Sequence, residues 1–337
     1  MAAPTPATVP AAVRALAEAD FSALAASFTA AGFAVAEPAD GIVTIKRGAG
    51  VADAARASVL LSVGVHGDET GPIEVVAWLL DSLARTPQAL AVDLMVCVGN
   101  IGAIRAGKRF IDADLNRMFR AERGTLAGTA EAARADAMIA ATAAFFAGAG
   151  PSRWHLDLHT AIRASVYPTF AIVPELIAAQ PRADLIAWLG QAAIGAIIMN
   201  PQSAGTYSYH SAEHHGAAGT TVELGRIGTL GSNDLSQFTE ASQALDSLLR
   251  GRFDAAQAPA QRAHIFDTAQ QIIKLSDRFT MAFGRDTQNF TALPHGAEIA
   301  RDGDTVYTVQ HAQEFVVFPN PDVRVGLRAG LMVVRVA

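Results

Sequence analysis

The chain has 337 residues, of which 51% are hydrophobic and 17% charged, and it carries a formal charge of -6. That composition excludes a disordered chain, and the length predicts one large domain or two unequal ones. The negative balance excludes the basic field that nucleic acid binding uses, and the longest apolar run, Ala137 to Gly150, is too short to span a bilayer.

At the N-terminus no basic segment precedes an apolar core, so no secretory signal is read there. The Ala/Pro/Thr start is expected to fray and to lead into a short helix around Val13 to Phe28. Ser58 to Gly64 has the composition of a buried strand, and Pro72 to Ala84 follows as a helix with proline in its first turn. Val92 to Val98 is a second strand carrying Cys97, the single cysteine, which is expected to be a small core residue. With no partner for a disulfide, a reducing, cytoplasmic setting is expected. Alanine-rich Thr129 to Ala147 is strongly helical. Trp154 to Leu158, Thr169 to Val173, Ala196 to Met199 and Thr220 to Leu224 read as strands, with helices over Pro181 to Ala193 and Ser236 to Arg250. This alternation predicts an α/β fold, a mixed and mostly parallel sheet flanked by helices.

After Arg252 the character changes. Ala255 to Gln261 reads as a linker. Short apolar runs then follow at Phe279 to Phe283, Thr305 to Val309, Phe315 to Phe318 and Leu331 to Val334, separated by turn signals. They predict a smaller C-terminal all-β domain, giving an α/β domain over 1–252 and a β domain over 253–337.

Three separated stretches carry the chemistry. Gly64-Val-His-Gly-Asp-Glu-Thr70 places His66 and Glu69 in a turn after a strand, with Gly67 permitting a tight path between them. In Trp154-His-Leu-Asp-Leu-His159, strand alternation puts His155, Asp157 and His159 on one face and both leucines on the other. Glu223 stands in the otherwise apolar Gly219 to Gly225, where a lone carboxylate is unfavourable unless something pairs with it. Two histidines and a glutamate, His66, Glu69 and His159, form the ligand set of a hydrolytic zinc site, and Glu223 suits the proton carrier. The plainer readings are a polar loop, structural histidines and an ion-paired glutamate; His155 is read as structural or as a support for a ligand. All three stretches fall at strand ends, where parallel sheets bind ligands. A fourth segment, Arg105 to Phe119, sets four cations against two aspartates in an acidic chain, which suits a carboxylate-bearing substrate.

Taken together, these residues resemble the succinylglutamate desuccinylase and aspartoacylase family, which has the zinc carboxypeptidase fold. The likeness rests on H-G-D-E-T-x-P-I-E from His66 to Glu74, R-x-G-K-R-x-x-x-x-D-L-N-R-M-F from Arg105 to Phe119, and W-H-L-D-L-H-T-A-I-R from Trp154 to Arg163. It continues through Tyr207 to His214, T-V-E-L-G-R ending at Arg226, and Gly231 to Leu235, and runs weakly through Phe315 to Gly330. The resemblance implies one zinc per chain on His66, Glu69 and His159, with Glu223 activating water. It implies that Arg109 polarises the scissile carbonyl, that Asn116 and Arg117 bind a substrate carboxylate, and that Asp114 orients His66 through its other ring nitrogen. Asp68 stands where the family commonly has asparagine. Arg163 is a candidate for a second carboxylate, and Tyr207, Tyr209 and His210 are candidates for lining the pocket.

The reaction so implied is hydrolysis of N2-succinyl-L-glutamate to succinate and L-glutamate, the last step of arginine breakdown through succinylated intermediates. The alternative within enzymes is deacylation of another small acyl amino acid, N-acetylaspartate-like or an acetylated diamino acid. From a different class, the chain would be a zinc-binding module without catalysis, which intact Glu223 and Arg109 argue against. The expected partner is a small molecule rather than nucleic acid or membrane, and self-assembly into a homo-oligomer is left open.

Overall fold

Residues 9–47, 56–257, 263–284 and 286–336 are described in the computed structural model. The chain opens with α1 (Ala11–Ala17) and α2 (Ser22–Ala30), then the hairpin β1 (Phe33–Ala39) and β2 (Ile42–Arg47). The single helix expected over Val13 to Phe28 is therefore two. Ala19 takes a φ of 62°, and Asp20 Oδ1 accepts the Ser22 amide, so the first helix stops and the second starts within a few residues.

The next elements are β3 (Ser58–Val63), α3 (Gly71–Arg85), β4 (Asp93–Val98), α4 (Ile101–Ala106), α5 (Ala130–Phe146) and β5 (Arg153–Ala161). After them come β6 (Phe170–Pro174), α6 (Ala179–Gln191), β7 (Ala196–Asn200), α7 (Tyr207–His215), β8 (Ala218–Arg226) and α8 (Thr239–Leu249). Thr129 caps α5 by accepting the Ala132 amide. The short helices α4 and α7 are made by their ends rather than by apolar periodicity. Asn100 caps α4 from below, and both helices finish in a left-handed glycine, Gly107 and Gly216.

The C-terminal part is all β: β9 (His264–Ile273), β10 (Phe279–Met281), β11 (Thr291–Pro294), β12 (Glu298–Asp302), β13 (Thr305–Thr308), β14 (Gln313–Val317) and β15 (Arg328–Arg335). Of the expected linker Ala255 to Gln261, residues 255–257 form a single 3-10 turn and 258–261 lie outside the described residues.

The main sheet has the order β1-β2-β4-β3-β5-β8-β6-β7-β9-β15-β14-β11. Its centre is parallel through β4, β3, β5 and β8; β6 runs against β8, and β7 and β9 continue parallel to β6. The fold is thus mixed α/β with helices on its faces, as expected. One feature was not visible in the sequence: β9 pairs with β7, Ala196 opposite His264, so C-terminal strands extend the main sheet. Among the described residues only β10, β12 and β13 form a separate sheet.

The two faces of the central strands are buried differently. Val59, Leu61, Leu94, Val96, Leu156 and Leu158 share one core with residues of α1, α2, α3, α6 and α8. Leu60, Met95 and Cys97 face a second core with α5 and Tyr207. Cys97 is fully buried, and burial pushes its thiol up to about 11, as suits an inert core position. No helix among the described residues is long and apolar enough to cross a membrane.

Candidate active site

On β5 the alternation holds: Trp154, Leu156 and Leu158 join the apolar core while His155, Asp157 and His159 occupy the other face. In parallel register His159 lies beside Glu223 of β8, and Ser62 of β3 lies beside Asp157. The site is therefore assembled by pairing at the carboxyl ends of β3, β5 and β8, with the turn after β3 supplying His66 and Glu69.

Glu69 is the hub. Its Oε1 is 2.8 Å from His66 Nδ1, and its Oε2 is 2.9 Å from His159 Nδ1 and accepts the Thr160 amide at 3.1 Å. The outer nitrogens of both rings are held by aspartates: His66 Nε2 is 3.0 Å from Asp114 Oδ1, and His159 Nε2 is 2.9 Å from Asp157 Oδ2. All three hub residues are buried, at 5%, 3% and 1% exposure for His66, Glu69 and His159, so solvent does little to screen them. Among the described residues they are the one group of three or more His, Cys, Asp or Glu whose ligand atoms all lie within 4.8 Å of one another.

This arrangement fits a divalent ion. The Nδ1 atoms converge on one carboxylate, while carboxylates on both Nε2 atoms set the ring orientation and raise ligand basicity. Burial opposes a proton on His159, yet Asp157 and Glu69 outweigh it and hold its pKa well above the usual histidine value. Burial also opposes the charge on Glu69, and here His66 and His159 outweigh it and keep the carboxyl well below its usual range. Two ring nitrogens and one carboxylate, converged and buried, are a donor set that suits a divalent ion.

Glu223 faces this group and is 7% exposed. Among the described residues its Oε2 has no hydrogen-bond partner, and burial with the nearby Glu69 pushes its carboxyl up to about 7. A carboxyl in that range can take and return a proton near neutrality.

The Arg105 to Phe119 segment wraps the other side. Buried Glu131, in the first turn of α5, accepts the amides of Ile111, Asp112 and Ala113 and the Asn100 side chain, fixing the loop backbone. Arg109 Nη1 donates to Glu69 Oε1 at 2.8 Å, and its Nη2 lies 3.1 Å from His66 Nε2. Asn116 is buried, its amide donating to Asp114 Oδ1 and its Oδ1 accepting the Tyr207 amide at 2.9 Å. Arg117 donates to the Asn116 carbonyl.

Arg163 is set apart from the triad. It reaches the Gly284 and Thr287 carbonyls at 3.5 Å and lines a cavity of about 440 Å³ with Ile162, Ala164, Arg226, Asp286 and Asp322. None of the three hub residues lines that cavity. Tyr207 is fully buried, stacked on Phe119 and sharing a hydrogen bond with Thr142, so it supports the site instead of lining it. Tyr209 donates to the Pro201 carbonyl, and the His210 ring packs 4.3 Å from that of His214.

Two groups escaped the sequence reading. Ser62 donates to Asp157 Oδ1, a contact that only the β3·β5 register discloses. Arg328, at the start of β15, feels the fields of Arg117 and Asp114, and burial with the Arg117 charge pushes it down to about 9. The loop before it is tied to the same segment, since Arg324 donates to the Asp112 carbonyl. Thr70, Glu74 and Asn233, quoted above as motif residues, turn out to be a brace. Asn233 Nδ2 donates to both Thr70 Oγ1 and Glu74 Oε1, tying the start of α3 to the loop after β8.

Known proteins share this organisation. The family described as the succinylglutamate desuccinylase/aspartoacylase catalytic domain matches residues 55–249, and the AstE/AspA barrel-sandwich hybrid domain matches 261–336. A succinylglutamate desuccinylase of Burkholderia lata is 45% identical over 298 residues, covering 88% of this chain and 84% of the relative. Among solved structures, the Vibrio parahaemolyticus succinylglutamate desuccinylase superposes with a TM-score of 0.81 at 29% identity, covering 94% of this chain and 95% of its own. The Chromobacterium violaceum enzyme of the same name gives 0.78 at 34% identity, with 94% and 98% covered.

Proposed function

The chain belongs to the succinylglutamate desuccinylase and aspartoacylase family, and on that premise we propose that it hydrolyses the amide of N2-succinyl-L-glutamate to succinate and L-glutamate. The observation that carries this is the converged His66, Glu69 and His159 with Glu223 alongside, in a chain 45% identical to a succinylglutamate desuccinylase.

We assign one zinc per chain to His66 Nδ1, Glu69 and His159 Nδ1. When bound there, zinc lowers the pKa of a water ligand to about 7 and polarises a carbonyl. Glu223 takes the proton of the attacking water as the succinyl carbonyl is attacked, and gives it to the amide nitrogen as the C–N bond breaks, so glutamate leaves as an amine. Arg109 donates to Glu69 from Nη1 in this structure, and its guanidinium carries further N–H groups with which to hold the developing oxyanion. A donor placed that way contributes about 3 kcal/mol. Asn116 and Arg117 hold a substrate carboxylate, with Arg328 beside them. Arg163, with Arg226, offers a second anion site in the adjoining cavity. A substrate with three carboxylates matches this spread of arginines. The reaction would close arginine breakdown through succinylated intermediates, in the cytoplasm.

Steady-state rates on N-succinylglutamate, N-acetylaspartate and an acetylated diamino acid test the assignment. The succinyl substrate is expected to give the highest kcat/KM; preference for an acetyl substrate overturns it.

A further inference from the structure

We propose that His155, which touches no hub residue, is a positioning residue for His159, acting through Ser62 and Asp157. The inference rests on the zinc reading of His159.

Each proton along this buried chain can be placed by its partners. Asp157 uses Oδ2 for His159 Nε2 at 2.9 Å and Oδ1 for the Ser62 hydroxyl at 2.5 Å. A serine has one proton to give. Since Ser62 gives it to Asp157, its contact of 2.9 Å with His155 Nε2 requires the histidine to be the donor. His155 therefore carries hydrogen on Nε2. Its Nδ1 lies 2.7 Å from the Ser211 hydroxyl, whose one proton is directed at the Ser208 carbonyl 2.9 Å away. Burial keeps His155 neutral, its pKa pushed down to about 4, which agrees with one ring proton rather than two.

The direction is then fixed from His155 to Ser62 to Asp157. Both oxygens of Asp157 receive donors, so it remains an ionised acceptor. It holds the Nε2 proton of His159 and leaves Nδ1 to face Glu69. His155, Ser62, Ser211 and Asp157 are all fully buried, so no bulk water replaces a missing link. The ring of His155 is further seated by Tyr207, edge-on at 4.4 Å. An ordinary core needs none of this: the neighbouring inward residues on the same face are Leu60, Met95 and Cys97.

The test measures zinc dissociation constants by chelator competition, together with thermal midpoints of the zinc-free proteins, for wild type, His155→Leu, His155→Gln, Ser62→Ala and the His155→Leu/Ser62→Ala double variant. His155→Leu and Ser62→Ala are each expected to weaken zinc about tenfold. The double variant is expected to be no weaker than either single, because one chain has been cut twice. His155→Gln, whose amide can donate to Ser62, is expected to recover most of the affinity. If His155→Leu does not fold, Ser62→Ala and His155→Gln decide. Wild-type zinc affinity in Ser62→Ala, or additive losses in the double variant, overturns the proposal alone. A wild-type protein that takes no zinc overturns the site reading, and this proposal with it.

Discussion

Replacing Gly67 by alanine tests how the metal ligands are held. Gly67 lies between His66 and Glu69, and its amide donates to the Arg109 carbonyl at 3.1 Å. A Cβ there would meet the Ala103 carbonyl carbon and the Ile104 nitrogen at 2.3 Å, and the Ala103 Cβ at 2.7 Å. Ordinary contact begins near 3.4 Å, so the turn and the start of α4 would have to part by about 1 Å, and both are backbone. Overpacking of this kind costs about 3 kcal/mol, the upper end of the usual range. Because metal bonds tolerate only about 0.2 Å, the displaced His66 and Glu69 are expected to lose at least about tenfold in zinc affinity. Urea unfolding of the zinc-free protein reads the first effect and chelator competition the second. Gly102→Ala is the control. It sits exposed on α4 with its nearest neighbour, Ile111, at 3.7 Å, and is expected to be neutral or to stabilise by up to about 1 kcal/mol. Equal stability and zinc affinity for Gly67→Ala and wild type would refute the reasoning.

Asp114→Asn removes the carboxylate on His66 Nε2 and should weaken zinc by about 10- to 100-fold, read by the same competition assay. Arg328→Met and Arg117→Met should each raise KM for N-succinylglutamate about tenfold with kcat nearly unchanged, as loss of uniform substrate binding requires; a fall in kcat with constant KM would move them to the chemistry. His155 gives a pH signature. Its folded pKa of about 4, against 6.5 unfolded, means that the unfolded chain binds more protons between those values. Its contribution is therefore full above pH 6.5 and is lost as pH falls through that window, about 2 kcal/mol of it between pH 7 and pH 5. Asp157 opposes the shift while His210, His159 and His215 add to it, so urea unfolding of wild type and His155→Gln must be compared at both pH values. An identical pH slope in the two proteins would contradict it.

Much of the site was legible because strand alternation and strand-end placement are local properties. His66, Glu69, His159 and Glu223 are found together as the sequence suggested, and the β5 leucines face the core. The tight path at Gly67 has a cause outside the turn. The glycine's small size is needed for the approach of Ala103 and Ile104, not for an unusual φ, and nothing local announces that contact. Helices α4 and α7 were missed because caps and terminal glycines make them, and β1 because its residues are mostly exposed or half-buried. Ser62 and Arg328 depend on long-range register: one reaches Asp157 across β3·β5, and the other arrives on β15 from the far end of the chain. The extension of the main sheet by β9 is of the same kind.

The central claim is a zinc site whose proton carrier is Glu223, and it is tested most directly by measuring zinc content and turnover of N-succinylglutamate side by side in wild type and Glu223→Gln. One zinc per chain in both proteins, with turnover in the parent alone, is the predicted result. Zinc-free wild-type protein, or a Glu223→Gln variant that turns over substrate at the parent rate, would contradict it.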